Sequence, residues 1–87
     1  MVQAELVIMH GEGLHLRPAS KFVQLSSRFR SEIFVSRDGV EVNGKSILGL
    51  MMLAAEPGAA IVVRAEGPDE DEALAALAKL VEENFGE

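Results

Sequence analysis

The sequence predicts an α/β (α+β) fold with an open-faced β-sandwich architecture: one four-stranded antiparallel sheet with three helices on one face, in the order β-α-β-β-α-β-α. Three observations predict it. Some short segments alternate apolar and polar residues with the period of half-buried strands, whereas others carry apolar stripes at helical spacing. Turn signals at Asp38-Gly39, Asn43-Gly44 and Pro57-Gly58 separate several of these segments. The remaining connections are so short that the strands are expected to share one sheet covered by helices on one side. Residues 1–87 form one domain without internal duplication, and 48% hydrophobic residues supply a core for a chain of this size.

In the first strand, Val2, Ala4, Leu6 and Ile8 alternate with Gln3 and Glu5, and the strand ends near Met9. A helix then opens around Pro18, because proline has no N–H to lose in a first helical turn. Ala19, Phe22, Val23 and Ser26 fall on one face of that helix, with Lys21, Gln24 and Arg28 outside it. Ile33–Ser36 and Val40–Val42 form a hairpin around Asp38-Gly39, a pair that supplies the positive φ angles of a tight turn. A short helix begins near Ser46. Ala60-Ile61-Val62-Val63 has the β-branched density of a central strand. Ala73, Leu74, Leu77, Leu80 and Val81 stripe the closing helix. The first β-α-β crossover is right-handed and split by another strand.

The net charge of −6 argues against nucleic acid as a partner, and the acidity is local. From Arg17 to Arg64 there are seven basic and four acidic residues; from Ala65 to Glu87 there is one basic residue, Lys79, and eight acidic ones. Asp69, Glu70, Asp71 and Glu72 sit where the last helix begins, so they serve its N-terminus and not a metal. Asp69 and Glu72 have the spacing of a capping box. The chain has no cysteine, which excludes thiol chemistry and thiolate-zinc sites. No basic stretch precedes a long apolar run at the N-terminus, and no apolar segment approaches the ~20 residues of a membrane span. A cytoplasmic protein without membrane insertion is expected.

The segment Gly13-Leu14-His15-Leu16-Arg17-Pro18-Ala19 places His15 at the positive end of a helix. The first amides of a helix point outward without intrahelical acceptors and, with the helix dipole, favour phosphate. Arg17 adds a planar, permanently charged fork. An imidazole nucleophile, amide donors from Leu16 onward and a guanidinium are the parts needed to accept a phosphoryl group and hold it. The field at the helix end favours the neutral ring, whose lone pair attacks, and it stabilises the negative charge that arrives. His10 is read as a surface group.

The helix near Ser46 carries Ile47-Leu48-Gly49-Leu50-Met51-Met52-Leu53, which is apolar on every side. With helices on only one face of the sheet, two outcomes are open: all of these residues pack in the core, or some of Ile47, Leu48, Met51 and Met52 stay exposed as a patch for partners. Two methionines suit a surface that adapts to several proteins. Ser46 is expected as the N-cap of this helix. A phosphate there would plant a dianion beside the methionines and block docking.

Gly13–Ala19 together with Lys45-Ser46-Ile47-Leu48-Gly49-Leu50-Met51 resembles the two signatures of the HPr family, the histidine-containing phosphocarriers of the bacterial sugar phosphotransferase system, over essentially the whole chain. The resemblance implies a carrier and not an enzyme, without cofactor and monomeric. It implies that His15 takes a phosphoryl group from phosphorylated enzyme I through Nδ1 and passes it to the IIA components of sugar permeases. Arg17 would contact the phosphoryl group, with Leu16 and Pro18 beside it. Ser46 matches the serine that HPr kinase/phosphorylase modifies in some bacteria, where a transcriptional regulator is a further partner. Docking is expected on Leu16, Ser20, Lys21, Gln24, Ile47, Leu48, Met51 and Met52. Glu12 stands where the family often carries a small polar residue, and its carboxylate would repel phosphate if turned toward His15. Leu16 stands where alanine or threonine is frequent and enlarges the apolar contact. Two other classes are a metal-binding protein using His10, Glu12 and His15, and a regulatory interaction module without phosphotransfer.

Overall fold

Alternation in the first segment becomes β1, Val2–Val7, whose even-numbered residues turn inward while Gln3, Glu5 and Val7 face out. Its hydrogen bonding runs slightly past the strand, because Ile8 donates to Ala59 O at 2.9 Å and accepts from Gly58 N at 2.7 Å. The remaining elements of the computed structural model, which describes residues 1–86, are α1 (Leu16–Ser26), β2 (Glu32–Arg37), β3 (Val40–Asn43), α2 (Ile47–Met52), β4 (Ala60–Glu66), α3 (Glu70–Glu82) and a final 3₁₀ turn, Asn84–Gly86.

The sheet order is β1-β4-β2-β3 and every pairing is antiparallel. β4 therefore separates β1 from β2, as the expected split crossover requires. The β2–β3 hairpin closes at Arg37 opposite Val40, and its two loop residues Asp38 and Gly39 have φ of 50° and 83°. Positive φ at both positions matches the right-handed twist of the strands, which is why Asp-Gly suffices there.

Ile33, Val35, Ile61, Val63 and Ala65 from the sheet meet Ala19 and Phe22 of α1, Leu50 of α2, and Ala73, Leu77 and Val81 of α3 in one buried cluster. Phe22 and Phe85 are each 1% exposed, and burying a side chain of this kind contributes roughly 1.5–3 kcal/mol. Phe85 was not anticipated. It lies four residues beyond Val81 and continues the α3 stripe, but it does so through a left-handed residue, φ 57°, in the 3₁₀ turn.

Glu70, Asp71 and Glu72 stand in the first turn of α3 as expected, and only Asp69 departs from the expectation. Asp69 occupies the N-cap position of α3, yet its side chain caps nothing, so the capping box with Glu72 does not form. Its carboxylate instead accepts from the backbone N–H of Arg30 and of Ser31, both at 2.9 Å, and from the Ser31 hydroxyl. Three donors from the α1–β2 turn outcompete one cap bond. They hold the Asp69 carboxyl at about 2 against an ordinary 3.8, the Ser31 hydroxyl being the largest cause. Among the described residues no helix is long and apolar enough to cross a membrane.

Candidate functional site

Two glycine-containing turns set the entry to α1. Gly13, φ 75°, donates to His10 O at 2.9 Å and packs so tightly that a Cβ there would lie 2.3 Å from Ala55 O. The next residue, Leu14, is buried and donates its N–H to the same Ala55 O at 2.8 Å. The chain is thus pinned from both sides immediately before His15.

His15 is the N-cap residue of α1, with extended backbone angles and no capping bond from its side chain. Its carbonyl accepts the first helical bond, from Ala19 N at 2.9 Å, and its imidazole, which caps none of the first-turn amides, is left for other work. Leu16 and Arg17 fill the first two helical positions and Pro18 the third. Pro18 is buried and brings no N–H; it fixes the backbone of the turn and donates nothing.

The ring of His15 is unevenly exposed. The side chain as a whole is 37% accessible, but Nε2 is sealed from solvent and has no hydrogen-bond partner among the described residues. Glu12 Oε1 stands 3.8 Å from that nitrogen. The carboxylate has therefore turned toward His15, on the Nε2 side, where its attraction favours the tautomer carrying the proton on Nε2 and the lone pair on Nδ1.

His10 departs from the expectation of a surface group: it is buried, 7% exposed. Its Nδ1 accepts from Glu12 N at 3.3 Å, its ring meets that of His15 edge-on at 5.3 Å, and Phe85 lies 6.1 Å away on another side. The signal for this lies in the alternation of the first segment, whose inward positions 2, 4, 6 and 8 continue in step to His10 although the strand itself stops at Val7. Although His10, Glu12 and His15 are neighbours, no group of three or more such side chains among the described residues is placed to hold a metal ion.

His15, Leu16, Arg17, Ser20, Lys21 and Gln24 line one open depression along the exposed start of α1. Lys21 is partly committed, since its Nζ donates to Phe85 O at 3.1 Å. Beside α1 packs α2. There Ser46 is the N-cap, its hydroxyl accepting from Gly49 N at 3.0 Å. Leu50 is buried and Ile47 half-buried, while Leu48, Met51 and Met52 are 75%, 38% and 76% exposed. Of the two packings open to this helix, the exposed patch is the one adopted.

Sequence reasoning missed the residue that fastens the far side of the site. Arg37, at the end of β2, donates through Nη1 to Leu53 O at 3.2 Å and Ala54 O at 2.7 Å, and through Nη2 to Glu56 Oε1 at 2.8 Å. No local pattern announces contacts across 16 to 19 residues.

The family model described as "PTS HPr component phosphorylation site" matches residues 2–83. The chain is 46% identical over 87 residues to the phosphocarrier protein HPr of Neisseria meningitidis, covering all of this chain and 98% of that protein. It is 47% identical over 83 residues to the HPr-like protein Crh of Bacillus subtilis, covering 95% and 98% of the two chains. The crystal structure of HPr-C-His from Thermoanaerobacter tengcongensis superimposes with a TM-score of 0.96 at 46% identity, over all of this chain and 98% of that one.

Proposed function

This chain belongs to the HPr family, a phosphocarrier of the phosphotransferase system and not an enzyme, and on that premise we propose that His15 accepts a phosphoryl group from phosphorylated enzyme I and hands it to IIA components of sugar permeases. One observation supports the reading: the His15 side chain is 37% accessible on an otherwise pinned loop while its Nε2 is sealed, which suits transfer through the other ring nitrogen, Nδ1, as the family resemblance implies.

The transfer needs little from the carrier beyond an aligned nucleophile and charge to receive the phosphoryl oxygens. The Nδ1 lone pair attacks phosphorus in line with the bond that joins the phosphoryl group to enzyme I. A new Nδ1–P bond forms, the old bond breaks, and its electron pair stays on the enzyme I atom that carried the group. The proton on Nε2 stays in place, and the Glu12 carboxylate at 3.8 Å offsets the positive charge that the ring acquires. Arg17 beside it and the first-turn amide of Leu16 supply positive potential on the phosphoryl side. A shallow surface suits a group that two successive partners must reach.

Docking rests on the depression along α1 and on the exposed residues of α2. Leu16, Leu48 and Met52 offer apolar area, and the methionine side chains adapt to differently shaped partners. Ser46 stands at the N-terminus of that patch, and its phosphorylation would weaken enzyme I docking by placing charge beside Leu48 and Met51. If the two phosphates lay roughly 10 Å apart in water, direct repulsion would be only on the order of 0.5–1.5 kcal/mol after screening, so docking dominates. Replacing Ser46 by Asp, itself a good N-cap, leaves the helix intact; an enzyme I affinity unchanged by Ser46→Asp would refute this route.

The experiment that tests the carrier reading is incubation with phosphoenolpyruvate and enzyme I, followed by mass spectrometry and acid treatment. A gain of one acid-labile phosphate that His15→Ala abolishes is expected; phosphate uptake by His15→Ala overturns it. Similarity to Crh favours a second reading, a regulatory interaction module, which requires His15→Ala to keep full function.

A further inference from the structure

Between β2 and the phosphoryl-acceptor loop runs a chain of contacts that the transfer chemistry does not use. The turn after α2 contains a left-handed residue, Ala54, with φ of 50°. A non-glycine residue there is disfavoured unless its surroundings hold it. What holds it is Arg37: one guanidinium nitrogen bonds the carbonyls of Leu53 and Ala54, and another bonds the Glu56 carboxylate. The same contact keeps the Glu56 carboxyl below its ordinary range. Ala55, between these fastened points, is buried, and its carbonyl receives the Leu14 N–H at 2.8 Å while abutting Gly13. His15 follows directly.

We propose that Arg37 is a positioning residue for His15: its guanidinium fastens the turn after α2, and that turn carries the carbonyl on which the His15 loop is hung. Arg37 reaches neither substrate nor ring. It acts through Ala55 and Leu14, and because its fork also binds the two carbonyls that directly follow α2, one side chain ties the end of the docking helix to the nucleophile loop. Lysine is not equivalent here, since a single ammonium cannot present a planar fork to two carbonyls and a carboxylate together. The effect on transfer rests on the reading of His15 as phosphoryl acceptor; the effect on the loop does not.

The test compares the full-length wild type with Arg37→Met and Arg37→Lys by amide hydrogen exchange and by steady-state phosphorylation with enzyme I and phosphoenolpyruvate. In Arg37→Met the Leu14 amide is expected to exchange about tenfold faster while the protected amides of β4 change by less than about twofold. The kcat for phosphorylation falls about tenfold with KM within about twofold, and Arg37→Lys lies between. Equal acceleration at Leu14 and in β4, an unchanged kcat, or a loss confined to KM overturns the assignment. Should Arg37→Met not fold, Glu56→Gln, which leaves both carbonyl bonds, must still loosen Leu14 more than β4; no such difference overturns the proposal as well. A wild type that takes up no phosphate at His15 removes the carrier reading and leaves the exchange comparison to judge Arg37 alone.

Discussion

His15 contributes to the fold through its backbone and to the proposed transfer through its ring, and the two roles separate cleanly. Because Ala19 N bonds the carbonyl and the side chain caps nothing, His15→Ala should change stability by less than about 1 kcal/mol while abolishing phosphate uptake, measured by urea denaturation and by mass spectrometry of the phosphorylated protein. Gly13 is the opposite case. An added methyl would meet Ala55 O at 2.3 Å on a backbone with φ of 75°, so Gly13→Ala should cost about 2–4 kcal/mol in the same denaturation experiment. The placing of His15 at the start of α1 was legible because glycine, histidine, arginine and proline stand within six positions of one another. The contribution of Arg37 was not, since hydrogen bonds to segments 16 to 19 residues away leave no trace in local spacing, and the burial of His10 was readable only by carrying the alternation of β1 past its end.

For the helices and strands, legibility followed periodicity. The alternation of β1, the Asp-Gly turn of the hairpin and the stripes of α1 and α3 each depend on neighbours a few residues away, and each matches the structure. The capping box failed for a reason of competition: the Asp69 carboxylate found three donors in another element. For α2 the pattern was silent, because a helix apolar all round does not say which side faces the core. The exposed side that the structure selects predicts a selective defect. Leu48→Asp, at a residue 75% exposed, should shift stability by no more than about 0.5 kcal/mol yet weaken enzyme I binding about tenfold, measured by titration calorimetry. Equal affinities for wild type and variant would remove α2 from the interface.

For the molecule as a whole, the Asp69 carboxylate joins the start of α3 to the α1–β2 turn, and this junction is pH-dependent. The folded protein holds that carboxyl at about 2 against an ordinary 3.8, so its stabilising effect is complete above pH 3.8 and disappears as the pH falls through about 2. Urea midpoints of the wild type and Asp69→Asn should therefore differ at pH 5 and converge near pH 2. A gap that persists at pH 2 would mean that the carboxylate charge is not what joins the two elements. The sheet order was the least legible feature in the sequence, because β4 completes both the β1 and β2 pairings from more than fifty and about thirty positions away, beyond the range of any periodic pattern.

The closing 3₁₀ turn has a reach out of proportion to its size. The ring of Phe85 is wedged behind His10, and its carbonyl tethers Lys21 on the rim of the depression. Clipping the polypeptide before Asn84 would consequently be felt at the opposite end of the sequence, as a slackened back wall and a lysine released from its anchor.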